Sequence, residues 1–231
     1  AAGSRLGQPI SQIVELPASV TGLHMHTLCE QGFAPLARTI EAIEPFLHAH
    51  KDQLKWLNLG GGHLITRPDY DRDGLVHLLT RLREDLDVQI YLELGTSVAF
   101  DAGILVGEVL DVAQNQGPIA IVDISATCHM PDVLEAPYRP ALLGESTSGG
   151  QPVVLGGPSC LAGDVIGTYA FDAVPQAGDR MAFLDQAHYS MVKTSTFNGI
   201  ALPSIAIWNS DSDALRLVKQ FDYGDFETRL S

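Results

Sequence analysis

Cysteine is scarce in this chain: Cys29, Cys128 and Cys160 are the only three in 231 residues, and they lie far apart. An odd, scattered set does not build a disulfide framework and points to a reducing compartment, the cytoplasm. No Cys-x-x-Cys pair occurs, which argues against a structural zinc site. Basic residues are also few, 14 against 28 acidic ones, for a net charge of −14. A chain this acidic is poorly equipped to grip nucleic acid, whose binding rests on neutralised phosphates. It suits a cationic ligand, although an acidic surface also serves solubility alone. No apolar run approaches the roughly 18 residues of a membrane span, and no signal-peptide pattern opens the chain. What remains is ordinary globular material: 45% hydrophobic and 18% charged residues, enough for a real core. The length fits one large domain or two small ones.

The patterning changes part-way along. Residues 1–19 are small, polar and Pro-containing and read as a loop arriving from elsewhere. Short apolar runs at 20–25, 54–59 and 88–92 read as strands. Between them, Leu36, Ile40, Ile43 and Leu47, then Leu75, Leu78, Leu79, Leu82 and Leu86, recur at helical spacing. This β-α-β-α-β alternation predicts parallel strands with helical crossovers. After Gly95 no long helical pattern appears. Runs at 98–112, 119–124, 152–155, 165–171, 180–184, 189–196, 200–208 and 215–221 read as strands, punctuated by Gly-Pro at 117–118 and 157–158. The expected class is α/β plus β, with an α/β domain over 1–100 and a β-domain over 101–231. Three parallel strands do not close an eight-stranded barrel. The α/β part is therefore either a small open sheet or a piece of something longer.

Three groups should share one rim. His24-Met25-His26 ends the first strand, Gly60-Gly61-Gly62-His63 follows the second, and Glu93 ends the third. In parallel α/β sheets the carboxyl ends of the strands are where ligands bind. Successive glycine N–H groups suit an anion such as phosphate, or simply a tight turn. Glu93 can accept a hydrogen bond from a protonated ring nitrogen, or be a solvated carboxylate. Two histidines one residue apart at a strand end suit a metal, as in metal-dependent hydrolases, or ordinary packing. In the β part, Thr127-Cys128-His129 and Gly157-Pro158-Ser159-Cys160, followed by Asp164, combine loop geometry with thiols able to transfer protons. Tyr189 and Phe197 read either as core aromatics or as pocket residues.

At these motifs the chain resembles the carboxynorspermidine/carboxyspermidine decarboxylase family, within the alanine-racemase-fold pyridoxal-phosphate decarboxylases. The matching segments are GLHMHTLCEQG (22–32), NLGGGH (58–63), DISATCHMPDVLEAPYRP (123–140), GGPSCLAGD (156–164), FLDQAHYSMVKTSTFNGI (183–200) and YGDFETRLS (223–231). The resemblance implies part of a pyridoxal-phosphate-binding (β/α)8 barrel over 1–100, joined to a C-terminal β-domain. It also implies decarboxylation of carboxynorspermidine or carboxyspermidine to norspermidine or spermidine, with no metal. By position, His24 would stack on the pyridine ring, Gly60, Gly61 and Gly62 would hold the phosphate, and Glu93 would pair with the ring nitrogen. Tyr189 would touch the phosphate and Cys160 would return a proton to the substrate carbon. Asp123 and Asp164 would meet the amines of the cationic substrate, with Phe197 lining the pocket. Family members are homodimers with shared sites, the Cys160 loop reaching across.

The family's Schiff-base lysine lies upstream of every segment here. Lys51, Lys55, Lys193 and Lys219 do not fit that role, so the chain is expected to correspond to the C-terminal part of such an enzyme. Where the family reads Glu-Pro-Gly-Glu, this sequence has Glu93-Leu94-Gly95-Thr96. That departure leaves open an alternative, a pyridoxal-phosphate-binding or polyamine-responsive homologue that has lost catalysis.

Overall fold

A computed structural model describes residues 3–230. Those residues form two compact units that meet between Phe100 and Asp101.

The first unit contains β1 (Gly22–His24), α1 (Phe33–Ala49), β2 (Trp56–Asn58), α2 (Arg72–Leu86) and β3 (Gln89–Tyr91). The strands form a parallel sheet in the order β1-β2-β3, with His24, Asn58 and Tyr91 in register. Each crossover is a helix whose apolar stripe covers the sheet. Leu36, Ile40 and Leu47 of α1, and Leu75, Leu78, Leu82 and Leu86 of α2, are buried with Leu57 and Leu59. Pro35 sits in the first turn of α1, where its missing N–H has no intrahelical partner to lose. Asp71 caps α2 by accepting from the Gly74 N–H at 2.8 Å, and Asp87, in the left-handed region at φ 52°, ends it.

The second unit runs β4 (Leu105–Gln114), β5 (Pro118–Val122), α3 (Ala126–His129), α4 (Asp132–Glu135), β6 (Gln151–Gly156), β7 (Val165–Phe171), β8 (Arg180–Phe183), α5 (Tyr189–Val192), β9 (Ile205–Asn209), β10 (Ala214–Lys219) and α6 (Tyr223–Glu227). Five strands make one sheet in the order β7-β6-β5-β4-β8, antiparallel except for the parallel β5/β6 pair. A separate antiparallel hairpin pairs β9 with β10. Val109, Ala120, Val122, Val153, Leu155, Ile166, Tyr169 and Phe183 fill the sheet's core.

Two expected strands change. The run 189–196 is not a strand, since its first four residues form α5. The His188 ring accepts the Tyr189 N–H at 2.8 Å, and this cap starts a helical turn that so short a run fits as well as a strand. The run from 98 becomes a strand only at Leu105, because Thr96–Val98 form a 3-10 turn and Asp101 takes a left-handed φ of 54°. Among the described residues no helix is long and apolar enough to cross a membrane.

Candidate active site

The sheet of the first unit delivers its three strand ends to one rim. The ladder continues past the strands proper: the Met25 N–H donates to the Asn58 carbonyl at 2.9 Å, Leu59 to Tyr91 at 2.9 Å, and Glu93 to Gly60 at 2.8 Å. His24, the Gly60–Gly62 turn and Glu93 are therefore fixed relative to one another by backbone. The Glu93 Oε2 lies 3.5 Å from His24 Nε2 and 3.9 Å from His26 Nδ1, with all three side chains about half exposed. Its other oxygen accepts from Asn58 Nδ2 at 2.8 Å. Asn58 also accepts the Gly60 N–H through Oδ1 at 2.8 Å, so a single amide ties the glycine turn to the carboxylate.

The turn needs its glycines. Gly60 and Gly62 have φ of 69° and 80°. A Cβ on Gly60 would stand 2.6 Å from the Met25 carbonyl oxygen, and one on Gly61 or Gly62 would overlap the carbonyl oxygen of Glu93 or Leu28. The expected phosphate-holding role falls unequally on these glycines. The Gly60 N–H is committed to Asn58, whereas the Gly61 N–H only reaches His26 Nδ1 at 3.4 Å. The Glu93-Leu94-Gly95-Thr96 segment is anchored without the family's proline, since the 3-10 turn that follows holds Ser97 buried and Thr66 Oγ1 donates to the Ser97 carbonyl at 2.7 Å.

This rim fits a pyridoxal group on chemical grounds. It offers an acceptor oxygen for a protonated ring nitrogen, an exposed imidazole at a strand end, and a backbone turn too tight for any side chain. His24, His26 and Glu93 are also the one group among the described residues whose donor atoms could surround a cation, all within 4.8 Å of one another. Those atoms belong to the same rim, so a cation and a ring would compete for it.

The second unit assembles a different cluster from three loops. Asp164 is buried, 3% exposed. Its carboxylate accepts from Ser125 Oγ at 2.9 Å, the Thr127 N–H at 3.2 Å and the Ser159 N–H at 3.1 Å. Three donors from its own unit thus occupy the carboxylate expected to meet a substrate amine, and burial keeps it from solvent. Cys160 is exposed on the loop that Asp164 clamps, whereas Cys128 is buried and points its thiol at the Phe197 carbonyl, 3.7 Å away. Phe197 is 43% and Tyr189 48% exposed, so neither is a core aromatic. Asp123 is exposed and accepts the Glu108 N–H at 2.7 Å, which leaves its second oxygen available. Lys193 is held by Asp132 and by Glu135, the latter at 2.7 Å. Those carboxylates raise its proton affinity, the opposite of what a nucleophilic amine requires.

Two functional candidates escaped the sequence reading. Asn58 falls in the run 54–59, which reads only as a strand. Asn198 donates its side-chain amide to Cys160 Sγ at 2.9 Å, across 38 residues of sequence.

The profile of the pyridoxal-dependent decarboxylase C-terminal sheet domain matches residues 18–187. The chain belongs to the pyridoxal-dependent decarboxylases. It is 40% identical over 233 residues to the carboxyaminopropylagmatine decarboxylase of Synechocystis, covering 99% of this chain and 60% of that protein. It is 37% identical to the carboxynorspermidine/carboxyspermidine decarboxylase of Campylobacter jejuni, covering 91% of this chain and 58% of that one. The crystal structure of carboxynorspermidine decarboxylase complexed with norspermidine, also from Campylobacter jejuni, superposes with a TM-score of 0.86 at 36% identity, over 99% of this chain and 66% of that chain. The chain thus spans about three-fifths of the length of the curated relatives it matches.

Proposed function

We propose that this protein is a cytoplasmic pyridoxal-phosphate-dependent carboxy-lyase of polyamine biosynthesis. It would remove CO2 from a carboxylated polyamine such as carboxynorspermidine or carboxyspermidine, giving norspermidine or spermidine. The observation that carries this reading is the Glu93 carboxylate, oriented by Asn58 and flanked by His24 on a rim set by strand register. On this reading the first unit is part of a pyridoxal-phosphate barrel, and the protein acts as a homodimer with shared sites.

When bound, pyridoxal phosphate supplies an electron sink for the pair left behind as CO2 departs. The chain's own residues do the rest. Glu93 holds a proton at the ring nitrogen through a charge-assisted hydrogen bond, and Asn58 fixes that carboxylate's orientation. His24 packs on the ring face and excludes water from it. Gly61 and Gly62 offer backbone to the phosphate and Tyr189 adds its hydroxyl. Cys160 delivers a proton from Sγ to the substrate carbon. Asp123, with one oxygen available, draws a substrate ammonium, with Phe197 alongside; the net charge of −14 favours approach of such a cation.

The test is product analysis with the full-length protein, pyridoxal phosphate and three substrates offered separately: carboxynorspermidine, carboxyspermidine and carboxyaminopropylagmatine. Release of CO2 with the matching amine from at least one of them is expected. A folded, cofactor-saturated protein that releases CO2 from none would overturn the reading.

A further inference from the structure

Cys160 and Asn198 are held against each other from both sides. Asn198 lies inside the 3-10 turn Phe197–Gly199 with φ 58° and ψ 21°. That left-handed conformation is one Asn tolerates better than other residues with a Cβ. Three contacts pin the turn: Cys128 Sγ to the Phe197 carbonyl at 3.7 Å, the Ser195 N–H to the Cys128 carbonyl at 2.9 Å, and Arg229 Nη1 to Thr196 Oγ1 at 3.3 Å. On the other side, the loop carrying Cys160 closes on Asp164. The Gly157 N–H donates to the Asp164 carbonyl at 2.8 Å and the Asp164 N–H to the Leu161 carbonyl at 2.9 Å. The Asp164 carboxylate accepts from Ser125 and Thr127, next to and within the buried helix α3, and Cys128 of that same helix holds the Asn198 turn through its carbonyl and thiol. The two loops thus share one anchor, and at their tips the Asn198 amide meets the Cys160 sulfur at 2.9 Å.

We infer that Asn198 is the positioning residue for the Cys160 thiol. A sulfur is both a weak acceptor and, through S–H, a weak donor. An amide N–H directed at a sulfur lone pair leaves the S–H bond to point away from the turn, and fixes a side chain that would otherwise rotate about its Cα–Cβ bond. Asp164 sets where the sulfur stands; Asn198 sets how its hydrogen is aimed. The catalytic meaning of this pairing rests on the reading of Cys160 as proton donor, but the pairing itself does not.

The experiment is alkylation by iodoacetamide in the full-length protein, from neutral to alkaline pH, with each cysteine followed by peptide mass spectrometry. Two variants are compared with wild type. Asn198→Gly keeps the left-handed backbone without strain and removes the amide. Asn198→Asp keeps the shape but replaces the donor by an acceptor, which captures the S–H. At neutral pH the Cys160 rate should fall on the order of tenfold in Asn198→Asp and severalfold in Asn198→Gly, with altered pH profiles. Exposed Cys29 should keep its rate, and buried Cys128 should stay protected, reporting an intact fold. Cys160 profiles that overlay wild type in both variants overturn the inference; should one variant expose Cys128, the other decides. Turnover of Cys160→Ala is measured separately. Full activity there would overturn the proton-donor reading, while the alkylation profiles still decide the pairing.

Discussion

The two units hold their candidate residues by opposite means. In the first, His24, the glycine turn and Glu93 sit at the ends of three in-register parallel strands, and the sheet's own ladder spaces them. Polar side chains there are half exposed, and Asn58 only trims the orientation of Glu93. In the second, no strand end carries Cys160. It stands on a loop whose shape depends on one buried carboxylate, Asp164, receiving donors from Ser125, Thr127 and Ser159. A rim built on backbone register tolerates change at its side chains, while a loop built on a buried polar network fails when one member is removed. The first arrangement suits a rigid cofactor seat, the second a thiol that must be aimed.

The strongest way to break this comparison is to ask whether the two regions serve one site. His24→Ala and Cys160→Ala, each in the full-length enzyme, should be almost inactive. Mixed and allowed to exchange subunits, they should regain about a quarter of wild-type activity, since half the dimers are mixed and each carries one intact site of two. No recovery despite demonstrated exchange would place both residues in the same-chain site. A smaller loss is expected from Glu93→Gln. A neutral amide cannot hold the ring nitrogen protonated by charge, so turnover at saturating cofactor should fall by about 10²-fold, roughly 2.7 kcal/mol. Unchanged turnover would remove Glu93 from its proposed role.

How much of this was legible in the sequence follows the same division. His24, Gly60–Gly62 and Glu93 could be read because strand ends in a β-α-β-α-β pattern must share a rim, and local periodicity finds strands and helices. Asn58 could not, because its bond to Glu93, 35 residues away, exists only once β2 and β3 are in register; its bond to the Gly60 N–H is local. Asp164 reads from the sequence only as a residue that follows the Cys160 loop. Its burial depends on Ser125 and Thr127, 39 and 37 residues away, which no local pattern encodes. The same holds for the Asn198–Cys160 contact. Residues 189–196 failed for a different reason: so short a run carries no decisive period, and the His188 cap chose the helix.

Asp164 offers a sharper test of the network, through stability rather than turnover. Asp164→Ala strands the Thr127 and Ser159 N–H groups and the Ser125 hydroxyl in a buried site. The cost should be about 3 kcal/mol, near the upper end for buried donors left without partners, or roughly 10 °C in melting temperature for a unit of this size. Asp164→Asn keeps an acceptor oxygen and should cost less. In the first unit Asn58→Ala should shift melting by less than either, because the backbone ladder stays in place. Equal losses at Asp164 and Asn58, read by thermal unfolding, would erase the contrast between the two constructions.

The smallest effect expected is a dependence on pH, and it separates the units once more. Each holds one buried histidine, His63 and His129, both 2% exposed. The His129 Nδ1 accepts the Ser125 N–H at 3.1 Å and its Nε2 faces the Ala201 carbonyl at 3.0 Å, so the neutral ring with its proton on Nε2 satisfies both. Burial lowers its proton affinity below the ordinary 6.5, opposed by the Ala201 carbonyl and by Asp164 and Asp123. His63 is lowered by burial and by His26, opposed only by the Leu59 carbonyl. With both folded values below 6.5, neither the folded nor the unfolded state binds these protons above that pH, and the stability they contribute is whole. As pH falls below 6.5, the unfolded chain takes up protons that the folded rings resist, and stability is lost down through the folded values. Hydrogen exchange resolved by unit, measured from neutral into mildly acidic pH, should show protection falling in both units. His63→Gln should flatten the fall in the first unit and His129→Gln in the second. A slope unchanged by both substitutions would assign the acid sensitivity to the exposed carboxylates instead.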